Sequence, residues 1–552
     1  MKSNKLKILF RCFASSFAVG FMVMNLSNSA YAKNFDQESS NSVDVVVLFD
    51  ELEIDNNIEA FIENEGGTII SEMPQVGGLK VRCSKELMDS IGEMNGVESL
   101  FNERIIRIKD ERKIKFKSSM NVKDDNRYYN DSSNIHYEDN SNGYYNDNGN
   151  SYYEDNRSSY YNDSGNSYYE DNSNGYYDNS GNSYYEDNSN GYYDEETESD
   201  DMFSGNLFEK YQWDIKRVTD NGRSFYIERG NHNVVVGIID SGVDTDHPDI
   251  SKNFLGGMNF VPENFMDDNS ENGDIYDVED RFGHGTNVAG QIAADGKSKG
   301  IAPGIGFKSY RVFNKDGETS ASICAAAIIQ AVNDKVDVIN LSINGYYLNG
   351  KIYDKNASSD EYEECNEMAD YYLLKRAVQY AVENDVVVVS ASGNEGLDCS
   401  DKDAIFDFYD EIYGSMDKRY EGEIYQAPGI FDGVINVSAT DKNDKISCYS
   451  NYGHNIIDVA APAGDITGEF DNMCMTTDID NGYTFSLGTS LSAPKVSALA
   501  GLILCRNKNM RADQIEKIIY KSADKIQGDN TEDYYGAGIM NVCKALDNMN
   551  MI

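Results

Sequence analysis

Short apolar runs alternate with helical patterns through the second half of the chain. The runs 234–239 and 386–390 are rich in valine and isoleucine, as in strands that are buried on both faces. Helical patterns, such as 320–332 and 371–383, lie between the runs. This alternation predicts a three-layer α/β domain over residues 202–552, with a mostly parallel sheet between two layers of helices.

A smaller alternation lies near the N-terminus, where we place a separate domain over residues 33–120. Its segments follow the order strand, helix, strand, strand, helix, strand, and this order resembles a ferredoxin-like α+β fold. Ser84 is a polar residue at the start of the second helix and is expected to cap it. The segments are 43–49, 58–65, 68–71, 78–82, 84–94 and 97–108.

Between these regions, residues 121–201 form a low-complexity repeat. Tyrosine-containing pairs begin every eight residues from position 128 to position 192, and the filler is Asn, Asp, Ser and Gly. Ile135 is the one aliphatic side chain larger than alanine between 124 and 201. A packed core cannot form from such a sequence, so we expect an extended polar linker. The alternative is an adhesive or ion-binding strip.

The first 32 residues are typical of a secretory signal peptide. Basic residues precede an apolar stretch at 12–24, and Ala30-Tyr31-Ala32 supplies the small residues that a signal peptidase requires. That apolar stretch is too short to span a bilayer, which takes about 20 residues. We therefore expect cleavage after Ala32, a secreted extracellular protein, and no membrane anchor after signal cleavage.

The charge balance excludes some partners. Acidic residues number 94 against 48 basic ones, which gives a formal net charge of −46. Nucleic acids and anionic membranes are polyanions and would be repelled, so we expect neither as a partner.

Cysteine usage adds little. Seven of the 9 cysteines fall in the last domain, and no CxxC pair occurs, so neither a disulfide framework nor a zinc site is indicated. One bridge between Cys365 and Cys399 is the alternative to buried free thiols, which we favour.

Three motifs place an acid, a histidine and a serine where they could act together. Asp240 ends a buried strand, where a dry carboxylate can orient an imidazole. His284 begins a helix within a Gly-His-Gly-Thr run. Ser490 lies at a helix N-terminus, where exposed N–H groups favour a developing oxyanion. Each motif is common alone, but the three in this order follow a known catalytic pattern.

These motifs resemble those of the subtilisin-like serine proteases, over roughly residues 208–547. The resemblance implies that Asp240 orients the imidazole, His284 is the general base and Ser490 is the nucleophile. It also implies that Asn394, in Ser390-Ala-Ser-Gly-Asn-Glu-Gly396, donates a side-chain N–H to the oxyanion.

Further expectations follow from the same resemblance. The edge formed by Ser342, Ile343 and Asn344 would bind substrate backbone. Gln426 would lie near the base of the pocket for the residue before the scissile bond, unless it is an ordinary surface residue. Residues 33–120 would be an inhibitory propeptide whose last part lies in the active site as a product. We expect a maturation cut between 194 and 210, with Glu198 as the candidate residue before the cut.

No cofactor or metal is expected. Asp249 matches a residue that often binds calcium in this family, but the segment 295–300 is short and lacks the loop that completes such a site. The alternative role for Asp249 is a helix cap or a surface acid.

A narrower resemblance is to the lantibiotic leader peptidases. It is based on Asp246-His-Pro-Asp249, Phe282-Gly-His-Gly-Thr286, Tyr310-Arg-Val-Phe313, Ala460-Ala-Pro-Ala-Gly464 and the tyrosine-rich insert after Gly345. We therefore expect a monomeric secreted serine endopeptidase that acts on peptides and removes the leader of a lanthipeptide. The alternatives are a broad degradative subtilase, a peptide-binding protein without activity, and a structural repeat protein.

Overall fold

The computed structural model describes residues 42–102, 105–107, 205–354, 362–413, 418–467 and 470–549. The expected signal peptide, the repeat linker and the expected cut near Glu198 lie outside these residues. Within the described ranges, no helix combines the length and the apolar character that crossing a membrane requires.

The N-terminal domain is a four-stranded antiparallel sheet with two helices on one side. Its spatial order is β2-β3-β1-β4, which is the ferredoxin-like order that the sequence predicts. Ser84 caps the second helix, because its side chain accepts a hydrogen bond from the Leu87 N–H at 3.2 Å. The elements are β1 (Ser42–Phe49), a helix (Asn56–Asn64), β2 (Thr68–Met73), β3 (Gly78–Ser84), a helix (Lys85–Gly92) and β4 (Val97–Asn102). A further short strand, β5 (Ile105–Arg107), lies outside this sheet.

The large domain contains the remaining elements. Its strands are β6 (Val235–Asp240), β7 (Phe254–Asn259), β8 (Gly306–Arg311), β9 (Glu318–Ser320), β10 (Val338–Leu341), β11 (Gly345–Asp354), β12 (Tyr362–Asn366), β13 (Val387–Ala391), β14 (Lys418–Ala427), β15 (Val434–Thr440), β16 (Val459–Pro462), β17 (Cys474–Asp478) and β18 (Gly482–Ser486). Its α-helices are Leu207–Tyr211, Trp213–Thr219, Ser224–Ile227, His284–Ala293, Ala321–Asn333, Met368–Glu383, Lys402–Tyr413, Thr489–Arg506, Ala512–Ser522, Glu532–Tyr535 and Val542–Asn548.

Seven strands form one parallel sheet in the order β16-β15-β13-β10-β6-β8-β7. Alternate residues of each strand face opposite sides. Val387 and Val389 belong to the core cluster on one side, and Val388 belongs to the cluster on the other. Because helices cover both faces, the strands need apolar residues at every position, and this explains the unbroken valine runs. The three-layer prediction is confirmed.

Sequence patterns did not reveal a second sheet, of the order β12-β11-β14. Strands β11 and β14 pair antiparallel from Gly345 with Ala427 to Asp354 with Lys418. We call this sheet the ribbon. The helix Lys402–Tyr413 covers one of its faces, through a cluster that includes Tyr346 and Leu348. The ribbon was missed because its strands mix tyrosine with charged residues and lack a simple alternation.

The N-terminal domain packs against the large domain. Strand β5 pairs antiparallel with β9, and Arg107 forms an ion pair of 2.7 Å with Glu318. On the helix Met368–Glu383, the guanidinium of Arg376 donates to the carbonyl oxygens of Val76 (2.8 Å) and Phe49 (3.0 Å) and contacts the Glu98 carboxylate. The N-terminal domain is therefore held in two places: by main-chain pairing between β5 and β9, and by the hydrogen bonds and the ion pair of Arg376.

The structure describes one of the two cysteines of the possible Cys365–Cys399 bridge. Cys399 is a buried free thiol, and burial raises its pKa. The side chain of Cys365 lies outside the described residues. Because Cys399 is free, the Cys365–Cys399 disulfide is absent from the described residues.

One pair of acids gives a prediction for stability against pH. Burial raises the pKa of Asp458 to about 6, and burial together with the Asp458 charge raises the pKa of Glu516 to about 7. A raised carboxyl pKa means that the folded state binds the proton more tightly than the unfolded state. The stability that these two carboxyls contribute should therefore be present in full below pH 4 and should be lost as the pH rises from 4 to 7.

Asp458→Asn should remove the loss of folding stability that ionisation of Asp458 causes as the pH rises. We expect the variant to be more stable than the wild type by about 1–2 kcal/mol at pH 8, and to differ little at pH 4. Urea unfolding at both pH values measures this. A variant that loses stability at pH 8 would show that the Asp458 carboxylate stabilises the fold, through the hydrogen bond it accepts from the Asn436 N–H at 2.8 Å.

Candidate active site

Asp240 is the last residue of β6 and is fully buried at the carboxyl edge of the parallel sheet. Its Oδ1 accepts a hydrogen bond from the Ser241 N–H at 2.7 Å and lies 2.7 Å from Nδ1 of His284. A buried carboxylate at this distance favours the proton on Nδ1 of the imidazole. The other ring nitrogen, Nε2, is then in its basic form.

His284 is the first residue of the helix His284–Ala293, and 3% of it is exposed. The glycines beside it allow this position. Gly283 has a φ of 95°, which side chains disfavour. At Gly285, a Cβ atom would lie 2.1 Å from the carbonyl oxygen of Gly242. Only glycine lets the turn after β6 approach the helix closely enough for the contact between Asp240 and His284.

Ser490 is the second residue of the helix Thr489–Arg506, which packs against the helix that begins at His284. The carbonyl of Ser490 cannot accept the usual helical hydrogen bond, because the residue four positions later is Pro494, which has no N–H. Ser342 supplies the missing donor: its hydroxyl donates to the Ser490 carbonyl oxygen at 2.9 Å. The proline therefore leaves an acceptor that a loop at the sheet edge satisfies.

Asn394 lies on the loop that follows β13. Its side-chain oxygen accepts hydrogen bonds from the N–H of Thr489 at 2.8 Å and from the Thr489 hydroxyl at 2.9 Å. A backbone N–H can only donate, so the amide oxygen must face Thr489. The amide nitrogen is thereby turned away from Thr489, the residue that precedes Ser490.

The expected substrate-binding residues divide into two groups. The hydroxyl of Ser342 bonds the helix Thr489–Arg506, and Ile343, next along the chain, is buried with 7% exposed. Asn344 and Gln426 lie together, with the Gln426 amide nitrogen donating to the Asn344 side-chain oxygen at 2.8 Å. The same nitrogen donates to the Ser392 carbonyl oxygen at 2.7 Å. Only 3% of Gln426 is exposed, so the surface alternative for this residue is wrong.

Sequence reasoning missed Asp280, a buried carboxylate beside His284. Its oxygens accept hydrogen bonds from the Ser241 hydroxyl (2.9 Å), the Gly283 N–H (2.6 Å) and the Thr286 N–H (2.9 Å). It therefore joins the turn after β6 to the start of the histidine helix. The available signal was an acid just before a helix start, where side-chain oxygens satisfy unpaired N–H groups.

The Asp249 carboxylate is already satisfied by protein donors. One oxygen accepts from the Lys297 N–H at 3.0 Å, and the other accepts from the N–H (2.7 Å) and the hydroxyl (2.6 Å) of Ser298. Calcium requires six to eight oxygen ligands, whereas this short loop turns N–H donors toward the acid. These residues do not fit a calcium ion.

A family model described as the subtilase family matches residues 231–538, so the chain belongs to that family and is a serine-type endopeptidase.

Among curated proteins, the chain is similar to two lantibiotic enzymes. It is 33% identical over 340 residues to the nisin leader peptide-processing serine protease NisP of Lactococcus lactis subsp. lactis, over 58% of this chain and 48% of the relative. It is 32% identical over 364 residues to the epidermin leader peptide-processing serine protease EpiP of Staphylococcus epidermidis, over 62% of this chain and 75% of the relative. The chain thus spans about half the length of the first relative.

One solved structure extends the likeness to most of the chain. The crystal structure of EpiP from Staphylococcus aureus superposes with a TM-score of 0.66 at 24% identity, covering 93% of this chain and 99% of that one. At this identity the match shows a shared fold.

Proposed function

We propose that Asp240, His284 and Ser490 form the catalytic triad of a secreted endopeptidase that removes the leader from a lanthipeptide precursor. The observation that carries the triad is the buried contact of 2.7 Å between Asp240 Oδ1 and His284 Nδ1, at the same sheet edge as the helix N-terminus that bears Ser490. The similarity to NisP and EpiP supports the substrate class.

In the proposed reaction, the Ser490 hydroxyl attacks the scissile carbonyl carbon while its proton passes to Nε2 of His284. The imidazolium that forms is stabilised by Asp240. His284 then returns the proton to the leaving amine as the C–N bond breaks. Water attacks the acyl-enzyme by the same route, releases the carboxylic acid and restores Ser490.

The negative charge on the tetrahedral oxygen would be met by two donors. Asn394 offers its amide nitrogen, whose orientation Thr489 sets from the other end of the amide. The backbone N–H of Ser490 is the second donor, at the N-terminus of its helix. Donors fixed before the reaction stabilise the oxyanion without reorganisation.

We further propose that residues 33–120 act as an inhibitory propeptide. The β5–β9 pairing is strand addition, the mode by which proteases bind peptide backbone. Arg376 would secure the far side of the propeptide through two carbonyl oxygens and Glu98. Secretion and release from the cell are part of the same proposal, which the signal-peptide pattern of residues 1–32 supports.

At the substrate residue before the scissile bond, we expect little preference for Arg, with Glu or Gln accepted. The reason is the neutral amide of Gln426, which presents no carboxylate to a guanidinium. Both of its N–H groups are used on Asn344 and Ser392, so its oxygen could accept from a Gln side chain, and the Asn344 amide nitrogen could donate to a Glu side chain. A peptide library cleaved by the secreted enzyme should show Glu and Gln accepted and little preference for Arg.

Gln426→Glu provides the matched variant, since it changes the charge at constant size. We expect it to raise kcat/KM for Arg relative to Gln by about tenfold, which is about 1.4 kcal/mol of differential transition-state binding. A strong preference of the wild type for Arg would refute the assignment of Gln426 to this pocket.

A degradative subtilase, an inactive peptide-binding protein and a structural repeat protein are the competing functions. Labelling by a serine-directed fluorophosphonate separates an active enzyme from the last two. Cleavage of one precursor at one site, against cleavage of many unrelated proteins, separates leader removal from degradation. A lanthipeptide precursor gene beside this one would favour leader removal.

A further inference from the structure

Three side chains that take no part in the proposed mechanism form hydrogen bonds that hold the loop carrying Asn394. The carboxylate oxygen Oε2 of Glu395 accepts hydrogen bonds from the Tyr346 hydroxyl at 2.9 Å, from the Asn451 amide nitrogen at 2.8 Å and from the Asn394 N–H at 3.0 Å. We call Tyr346, Glu395 and Asn451 the loop clamp.

Asn451 fixes the backbone on both sides of Glu395. Its side-chain oxygen accepts from the Glu395 N–H at 3.2 Å and from the Leu397 N–H at 3.0 Å. Its amide nitrogen donates to the Ser392 carbonyl oxygen at 3.0 Å. The loop therefore has main-chain hydrogen bonds to one buried side chain both before and after Asn394.

Tyr346 enters the clamp from a different part of the fold. It is the second residue of β11, and its register partner across the ribbon is Gln426. Gln426 also bonds the loop, through the Ser392 carbonyl oxygen at 2.7 Å. The base of the ribbon thus contacts the loop through two side chains that lie on the same face of the sheet.

The Tyr346 hydroxyl is suited to a permanent contact. Only 5% of the residue is exposed, and burial and the neighbouring Glu395 charge raise the pKa of the phenol well above its ordinary value. The hydroxyl is therefore a donor at every pH at which the enzyme works. A hydrogen bond to a carboxylate is among the stronger ones in proteins.

We propose that Tyr346 is a positioning residue for Asn394, acting through Glu395. The proposal rests on the oxyanion role given to Asn394 above. An oxyanion donor is effective only if it is held in place before charge develops, and small displacements cost rate. In this chain the ribbon supplies part of that restraint through Tyr346. The ribbon therefore contributes to turnover, in addition to contributing Gln426 to the proposed substrate pocket.

Tyr346→Phe tests this, because it removes one hydroxyl and keeps the ring. We expect kcat to fall about tenfold, a fraction of the about 10²–10³ lost with the donor itself, and KM to change less than about twofold. The decisive readout is a double-mutant cycle. In an Asn394→Ala background, Tyr346→Phe should cause no further loss.

Tyr409→Phe is the matched control. It removes another buried tyrosine hydroxyl that donates to a glutamate in the same region, Glu367 at 3.2 Å, away from the loop. We expect it to keep the wild-type kcat. The melting temperature of each variant reports folding, and Glu395→Gln, which removes the charge at constant size, repeats the test if Tyr346→Phe does not fold.

The outcomes are distinct. If Asn394→Ala lowers kcat and Tyr346→Phe does not, the clamp proposal is overturned and the proposed function stands. If the two effects multiply, Tyr346 acts by another route and the proposal is likewise overturned. If Asn394→Ala keeps full turnover, the oxyanion assignment itself fails, and the positioning role fails with it.

Discussion

Ser490→Ala should abolish peptide-bond hydrolysis and leave the full-length precursor unprocessed. Removing the hydroxyl removes the attacking atom, and catalysis by the remaining groups would be about 10⁶-fold slower, below the background of most assays. Purified precursor, incubated and followed by gel and mass spectrometry, measures this. The variant should also fail to react with a fluorophosphonate.

Ser522→Ala is the control for that experiment. Ser522 is also a buried helical serine, and its hydroxyl donates to the carbonyl oxygen of Ile519 at 3.0 Å, within its own helix. It should mature and label like the wild type. If purified Ser490→Ala still matures without any added protease, Ser490 is not the nucleophile.

Asn394→Ala should lower kcat by about 10²–10³ with little change in KM, because the donor acts mainly on the transition state. The substitution could also affect folding, because Asn394 has a second contact. The Asn394 side chain also satisfies the Thr489 N–H, so its loss leaves that donor unpaired next to Ser490. The melting temperature should be recorded beside the kinetics, so that a folding defect is not taken for a catalytic one.

An effect of Asn394→Ala on KM alone would contradict the oxyanion role. It would place the residue in ground-state binding, since uniform binding changes KM and leaves kcat. Single-turnover measurements with a chromogenic peptide distinguish the two cases.

Much of the fold could be read from the sequence because its signals are local. Valine runs such as β13 need apolar cover on both faces, which a parallel sheet between two layers of helices provides. Ser84 could be named as a cap because capping involves only the next three residues. The ribbon could not be read in this way, since β11 and β14 are separated by more than 60 residues and pair through the backbone.

The candidate site, like the fold, has features with local sequence signals and features that depend on contacts between distant segments. By itself, the sequence offered Asp240, His284 and Ser490 as candidates, because motifs at strand ends and helix starts are short-range patterns. Asn394 was added by the resemblance to the subtilisin-like proteases. Tertiary structure alone decided what surrounds them. Ser342 donates to the carbonyl oxygen of Ser490, and no local pattern links residues this far apart in the chain.

Only the tertiary structure showed how the pocket and loop are held. Gln426 is buried against Ser392, and Glu395 collects donors from three separate segments. Such contacts depend on which side chains the folded chain brings within about 3 Å of one another, and hydrogen bonding at that distance has no signature in sequence spacing. Residue types and their local order thus determined the class of chemistry, and packing between distant segments determined the geometry in which that chemistry is placed.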